Sequence, residues 1–70
     1  MDFAVNNRLE ELRRARGVSQ AELGEALEVS RQTIISLERG RYNPSLLLAF
    51  RISRYFGQPI DKIFLYEEDE

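Results

Sequence analysis

At 70 residues, with no Cys and no His, the chain offers room for one domain spanning 1–70. It has no disulfide, zinc ligand, thiol nucleophile or imidazole base, so stability has to come from packing, and neither metal nor cofactor is expected. Hydrophobic residues at 43% and charged ones at 31% exclude a disordered or membrane-spanning class, while the net charge of −2 conceals an uneven distribution.

Glu67, Glu68, Asp69 and Glu70 make an acidic tail. Between residues 31 and 54 the charges are Arg31, Arg39, Arg41, Arg51 and Arg54 against Glu38, five minus one, or +4. A basic segment of this kind is the electrostatic footprint of a polyanion partner.

In chain order, Val5, Leu9 and Leu12 stand at i, i+4 and i+7 with Glu and Arg between them, which predicts a first helix closing at Gly17. Ser19 with Glu22 three residues later is a capping box, and Val18 can staple to Leu23. A second helix therefore starts at Ser19 and turns Leu23, Ala26 and Leu27 inward. After a short turn at Glu28 and Val29, Ser30 caps a third helix that runs to Arg39, with Val29 and Ile34 as its staple. Gly40 to Pro44 reads as a loop, and Ser45 caps a fourth helix that ends at Gly57 with Leu48, Ala49, Ile52 and Phe56 as its core stripe. Pro59 opens a short last helix to Ile63. Phe64-Leu65-Tyr66 predicts a strand, and alternation at Phe3 and Val5 predicts its antiparallel partner at the other terminus.

Residues 19–39 thus hold two short helices joined by a tight turn, the spacing of a helix-turn-helix. With Ile34 and Leu37 inward on the third helix, Arg31, Gln32, Ile35, Ser36 and Arg39 turn outward. A helix fits the major groove of DNA, where Arg grips guanine, Gln bridges adenine and an apolar side chain meets a thymine methyl. Arg31, Gln32 and Ile35 carry those three chemistries. Arg31 also lies in the first helical turn, where the macrodipole disfavours a cation by a few tenths up to roughly 1 kcal/mol. Stability alone would select an acid there. The Asp and Glu residues sit among basic neighbours or in the tail and read as solvated charge, so no enzymatic activity is expected. The N-terminus has no basic stretch leading into an apolar one, and a cytoplasmic protein with no membrane partner is expected.

Ser19-Gln20-Ala21-Glu22-Leu23, Val29-Ser30-Arg31-Gln32-Thr33-Ile34 and Leu37-Glu38-Arg39-Gly40 resemble the Cro/C1-type, or XRE, helix-turn-helix regulators over Arg8 to Phe64. Tyr42-Asn43-Pro44-Ser45-Leu46, followed by Pro59-Ile60 and Ile63-Phe64, is similar to the compact stand-alone subgroup that includes the cytolysin repressor. The resemblance implies an all-α, lambda-repressor-like fold of five helices, with the terminal strands paired as a small sheet. It implies base reading by Arg31, Gln32, Ile35 and Ser36. Ile35 departs from relatives that often carry Ser or Asn there, so the base facing it does not carry over. Phosphate contacts are implied for Gln20 and Thr33 and for a second clamp of Arg41, Tyr42, Asn43 and Ser45, which Arg39 joins from the end of the third helix. Arg13 and Glu38 match a structural ion pair. Glu38 follows Ile34 by four residues and so leans inward, where an unpaired carboxylate is costly.

One recognition helix reads only a few base pairs, so a homodimer on an inverted-repeat operator is expected, its half-sites about 10 base pairs apart. Ile60 and Ile63 are assigned to the interface, with Asn43 near the axis as in the resembled subgroup. Leu47 and Phe50 stand off the main stripe of the fourth helix and divide evenly between interface and core. The expected function is a transcriptional repressor on double-stranded DNA, with any protein antagonist unidentified. The alternatives are an antitoxin or restriction-modification controller of the same fold, or a protein-interaction module that has lost DNA binding. The basic stretch argues against the last.

Overall fold

Three of the helices begin at a serine whose hydroxyl accepts a backbone N–H three residues on. The computed structural model describes residues 6–41 and 43–65. In chain order these form β1 (Asn6–Asn7), α1 (Leu9–Arg16), α2 (Gln20–Leu27), α3 (Arg31–Glu38), α4 (Leu46–Phe56), α5 (Ile60–Ile63) and β2 (Phe64–Leu65). Ser19 accepts from Glu22 N at 3.0 Å while Glu22 Oε1 accepts from Ser19 N at 2.8 Å, closing the capping box. Ser30 and Ser45 cap α3 and α4 through Thr33 N and Leu48 N, each at 3.1 Å. Such caps satisfy amides that the first helical turn leaves without a partner.

The core gathers Leu9, Leu23, Leu27, Ile34, Leu37, Leu48, Ile52, Phe56 and Ile63, one or more from each helix, with Leu12, Val18 and Val29 packed against it. Ala26, expected to face inward, is exposed instead. Its place is taken by Gly24, which is buried because α2 approaches the following turn closely: a Cβ at Gly24 would stand 2.8 Å from the carbonyl oxygen of Val29. Any side chain there would push the α2–α3 turn apart.

β1 and β2 pair antiparallel, Asn6 opposite Leu65 and Asn7 opposite Phe64. The predicted sheet placed Phe3 and Val5 against Phe64 to Tyr66; Phe3, Val5 and Tyr66 lie outside the described residues. Among the described residues no helix is long and apolar enough to cross a membrane.

The turn between α2 and α3 carries Glu28 at φ 63°, the one positive φ among the described non-glycine residues. A side chain in the left-handed region costs roughly 1–2 kcal/mol, and glycine recovers part of this while losing backbone entropy. Glu28→Gly is therefore expected to stabilise the fold by about 0.5–1 kcal/mol, read as a rise in thermal midpoint of a few degrees. The distant Arg51 contact of Glu28, 4.0 Å on an exposed surface, is too weak to reverse that sign. An unchanged or lowered midpoint would show that Glu28 is held there by something other than geometry.

Candidate nucleic-acid interface

The α3 helix is positioned by two buried side chains, Ile34 and Leu37, both fully inaccessible. Its opposite side is graded. Arg31, Gln32 and Arg39 are exposed, whereas Thr33, Ile35 and Ser36 are half-buried. Gln32 Nε2 lies 3.5 Å from Ser36 Oγ, a long contact one turn away that leaves the amide free to turn elsewhere. The Thr33 hydroxyl is 3.0 Å from that of Ser30, which ties it to the start of the helix. No acid occupies the first turn of α3, so Arg31 meets the positive end of the helix without compensation.

Arg31, Arg39 and Arg41 are exposed and form no ion pair among the described residues. Three cations with no ion pair among the described residues, along one helix and the turn after it, raise the local potential for an anion.

The far end of α3 is held by Glu38, whose side chain is 4% exposed. Arg13 Nε donates to Glu38 Oε2 at 2.6 Å, Arg13 Nη2 donates to Oε1 at 3.3 Å, and Gln20 Nε2 donates to the same Oε1 at 3.1 Å. Arg13 Nη1 donates to the Val18 carbonyl at 2.9 Å. The carboxylate thus binds α1, the start of α2 and α3 together. Hydrogen bonding to Glu38 raises the Arg13 pKa above its ordinary value, against the opposing effect of burial. Gln20, expected to anchor phosphate, commits one amide hydrogen to Glu38, which aims the side chain and leaves its second hydrogen for another acceptor.

In the second expected clamp, Arg41, Asn43 and Ser45 are exposed; Tyr42 lies outside the described residues. Ser45 Oγ accepts the α4 cap bond, and its hydroxyl hydrogen remains available to donate.

The expected interface pair divides. Ile63 is fully buried in the core, so its assignment to a subunit contact is corrected: α5 is a single turn, and the side that holds Ile63 faces inward. Ile60, three residues before it, is half-buried. Leu47 at 60% and Phe50 at 52% exposure are surface residues, not a widened core stripe, and Leu46 joins them at 72%.

Two positioning residues escaped the sequence reading. Asn7 Oδ1 accepts from Leu9 N at 3.0 Å and Asn7 Nδ2 donates to the Leu37 carbonyl at 2.8 Å, so one side chain holds the first amide of α1 and grips the end of α3. An Asn two residues before an apolar-periodic run is a local Asx-turn signal. Its second bond, to a residue thirty positions on, has no local signal. Arg16 donates to the Tyr55 carbonyl at 2.7 Å and lies over the Tyr55 and Phe56 rings, fastening α1 to α4.

A helix-turn-helix family profile matches residues 9–63, from the first residue of α1 to the last of α5. The chain belongs to the XRE-type helix-turn-helix family. It is 48% identical over 66 residues to the uncharacterized HTH-type transcriptional regulator MJ0272 of Methanocaldococcus jannaschii, a match that covers 94% of this chain and all of that one. The restriction-modification controller protein C.AhdI from Aeromonas hydrophila superposes with a TM-score of 0.70 at 31% identity, over 79% of this chain and 80% of that one. A transcriptional regulator from Listeria innocua superposes with a TM-score of 0.79 over 90% of this chain, which spans 59% of that structure; at 24% identity the likeness shows the fold alone. In this helix-turn-helix domain α2 and α3 are the paired helices.

Proposed function

We propose that the protein is a sequence-specific transcriptional repressor, not an enzyme, that binds an inverted-repeat operator as a homodimer in the cytoplasm. The observation that carries this reading is the outer side of α3: exposed Arg31, Gln32 and Arg39, followed by Arg41, with none of these arginines paired to an acid among the described residues. Arg31 and Gln32 read base edges in the major groove, with Ile35 and Ser36 beside them, while Thr33, Gln20, Arg39, Arg41, Asn43 and Ser45 hold the backbone. Within the family we place the chain with the compact stand-alone repressors it resembles.

The second copy docks on α4. Leu46, Leu47 and Phe50 stand at i, i+1 and i+4, and three large apolar side chains exposed on one helix are unusual for a monomer. The connection from the end of α3 leads straight into α4, the helix that carries this face. A twofold axis there, beside Asn43 and Ile60, sets the two α3 helices side by side, as adjacent half-sites require.

Selection of bound duplexes from a random library tests the reading. An inverted repeat is the expected winner, with binding that weakens steeply as salt rises. Enrichment of nothing, or of an unpaired site, would overturn it. A second reading, control of a restriction-modification gene pair, is favoured by the likeness to C.AhdI; the same experiment separates them if the winning sequence is sought upstream of such genes.

A further inference from the structure

Three of the four arginines between residues 8 and 16 are bound back onto the protein. Arg8 pairs with Glu11 and donates to the Lys62 carbonyl, Arg13 is clamped on Glu38, and Arg16 is fixed on Tyr55. Arg14 differs. It is 70% exposed, and its side chain forms an ion pair one turn back, Nη2 to Glu10 Oε2 at 2.8 Å, with Glu10 itself 50% exposed. Both residues line an open cleft of about 350 Å³ whose other walls include Gln20 and Arg31. In the DNA-bound arrangement proposed above, a duplex seated on Arg31 and Gln20 would carry its backbone past Arg14, because these residues line the same cleft.

We infer that Arg14 is a further phosphate contact, held in the free protein by Glu10, and that Glu10 acts as a brake on DNA affinity. The inference rests on the DNA reading proposed above. An exposed i,i+4 pair is only marginally stabilising, so an approaching duplex, whose closely spaced phosphates together set up a stronger field than one solvated carboxylate, draws the guanidinium away. Glu10 then stands unpaired on the cleft wall, where it repels the same phosphate. Arg14 supplies attraction that carries no sequence information, and Glu10 sets how much of it reaches DNA.

The test measures binding of wild type, Arg14→Ala, Glu10→Gln and the double variant to the selected operator and to a random-sequence duplex across a salt series. Arg14→Ala is expected to weaken both duplexes about equally, roughly tenfold, and to lower the salt slope by about 1 for each half-site. Glu10→Gln is expected to strengthen both severalfold, and most of that gain is expected to vanish in the Arg14→Ala background. Both side chains are exposed, so the thermal midpoint should fall by no more than a few degrees, from the loss of their pair and of favourable charges at the ends of α1. If Arg14→Ala leaves affinity and slope unchanged while Arg31→Ala weakens operator binding, this inference fails and the DNA reading stands. If neither substitution has an effect, the DNA reading itself has failed. An equal gain from Glu10→Gln with and without Arg14 would overturn the restraint and reduce Glu10 to a simple repelling charge.

Discussion

Replacing Glu38 by Ala is expected to lower folding stability by about 3–5 kcal/mol, because it strands a buried guanidinium. The Arg13 and Glu38 side chains are 10% and 4% exposed, so water cannot take over the three bonds that Glu38 Oε1 and Oε2 accept from Arg13 and Gln20. Nor can Arg13 escape by losing its proton, since an arginine remains charged in any folded protein. A chain of this size has a total stability of about 4–10 kcal/mol, so the variant lies near the edge of unfolding. A urea titration reads the loss directly. Replacing both partners by apolar residues, Arg13→Met with Glu38→Leu, should restore much of it, because no charge is then left buried alone. A loss below 1 kcal/mol for Glu38→Ala would show that the clamp is not a structural element. DNA affinity should fall with stability, since the carboxylate also aims Gln20.

Arg31→Ala carries the second large expectation, and its two effects have opposite signs. In the proposed dimer each arginine grips a base in its own half-site, at about 1–3 kcal/mol, so a duplex read by two copies loses about 2–6 kcal/mol. Folding, in contrast, should be unchanged or better by a few tenths of a kcal/mol, because a cation leaves the positive end of α3. Operator selection with the variant should relax one symmetric pair of positions and leave the rest. Equal losses on operator and random duplexes would make Arg31 a phosphate contact, and no loss on either would remove it from the interface.

Much of the local structure was legible from the chain because it depends on neighbours three or four positions away. Ser19, Ser30 and Ser45 announce helix starts through bonds that span three residues, and the spacing of Ile34 and Leu37 turns Arg31 and Gln32 outward whatever lies elsewhere. The candidate site was legible to the same extent: its outward stripe is a property of one helix. The burial of Ile63, the exposure of Ala26 and the open face of Leu46, Leu47 and Phe50 were not. Periodicity says which side chains share a face but not how widely another element covers it. Ala26 sits beside the covered stripe of α2, and Ile63 sits on an α5 too short to show a period at all.

Taken alone, the sequence determined the starts of α2, α3 and α4, the pairing of α2 with α3 and the presence of a basic stripe, since each follows from contacts within a single turn or from charge order along the chain; the start of α1 at Leu9, after β1, was not set by the Val5, Leu9 and Leu12 spacing. Only the tertiary structure decided that Glu38 joins α1, α2 and α3 through Arg13 and Gln20, that Asn7 grips the end of α3, and that α4 keeps an apolar face open. Those outcomes depend on residues 18 to 30 positions apart being brought together, and that distance is set by packing the whole core rather than by any local preference.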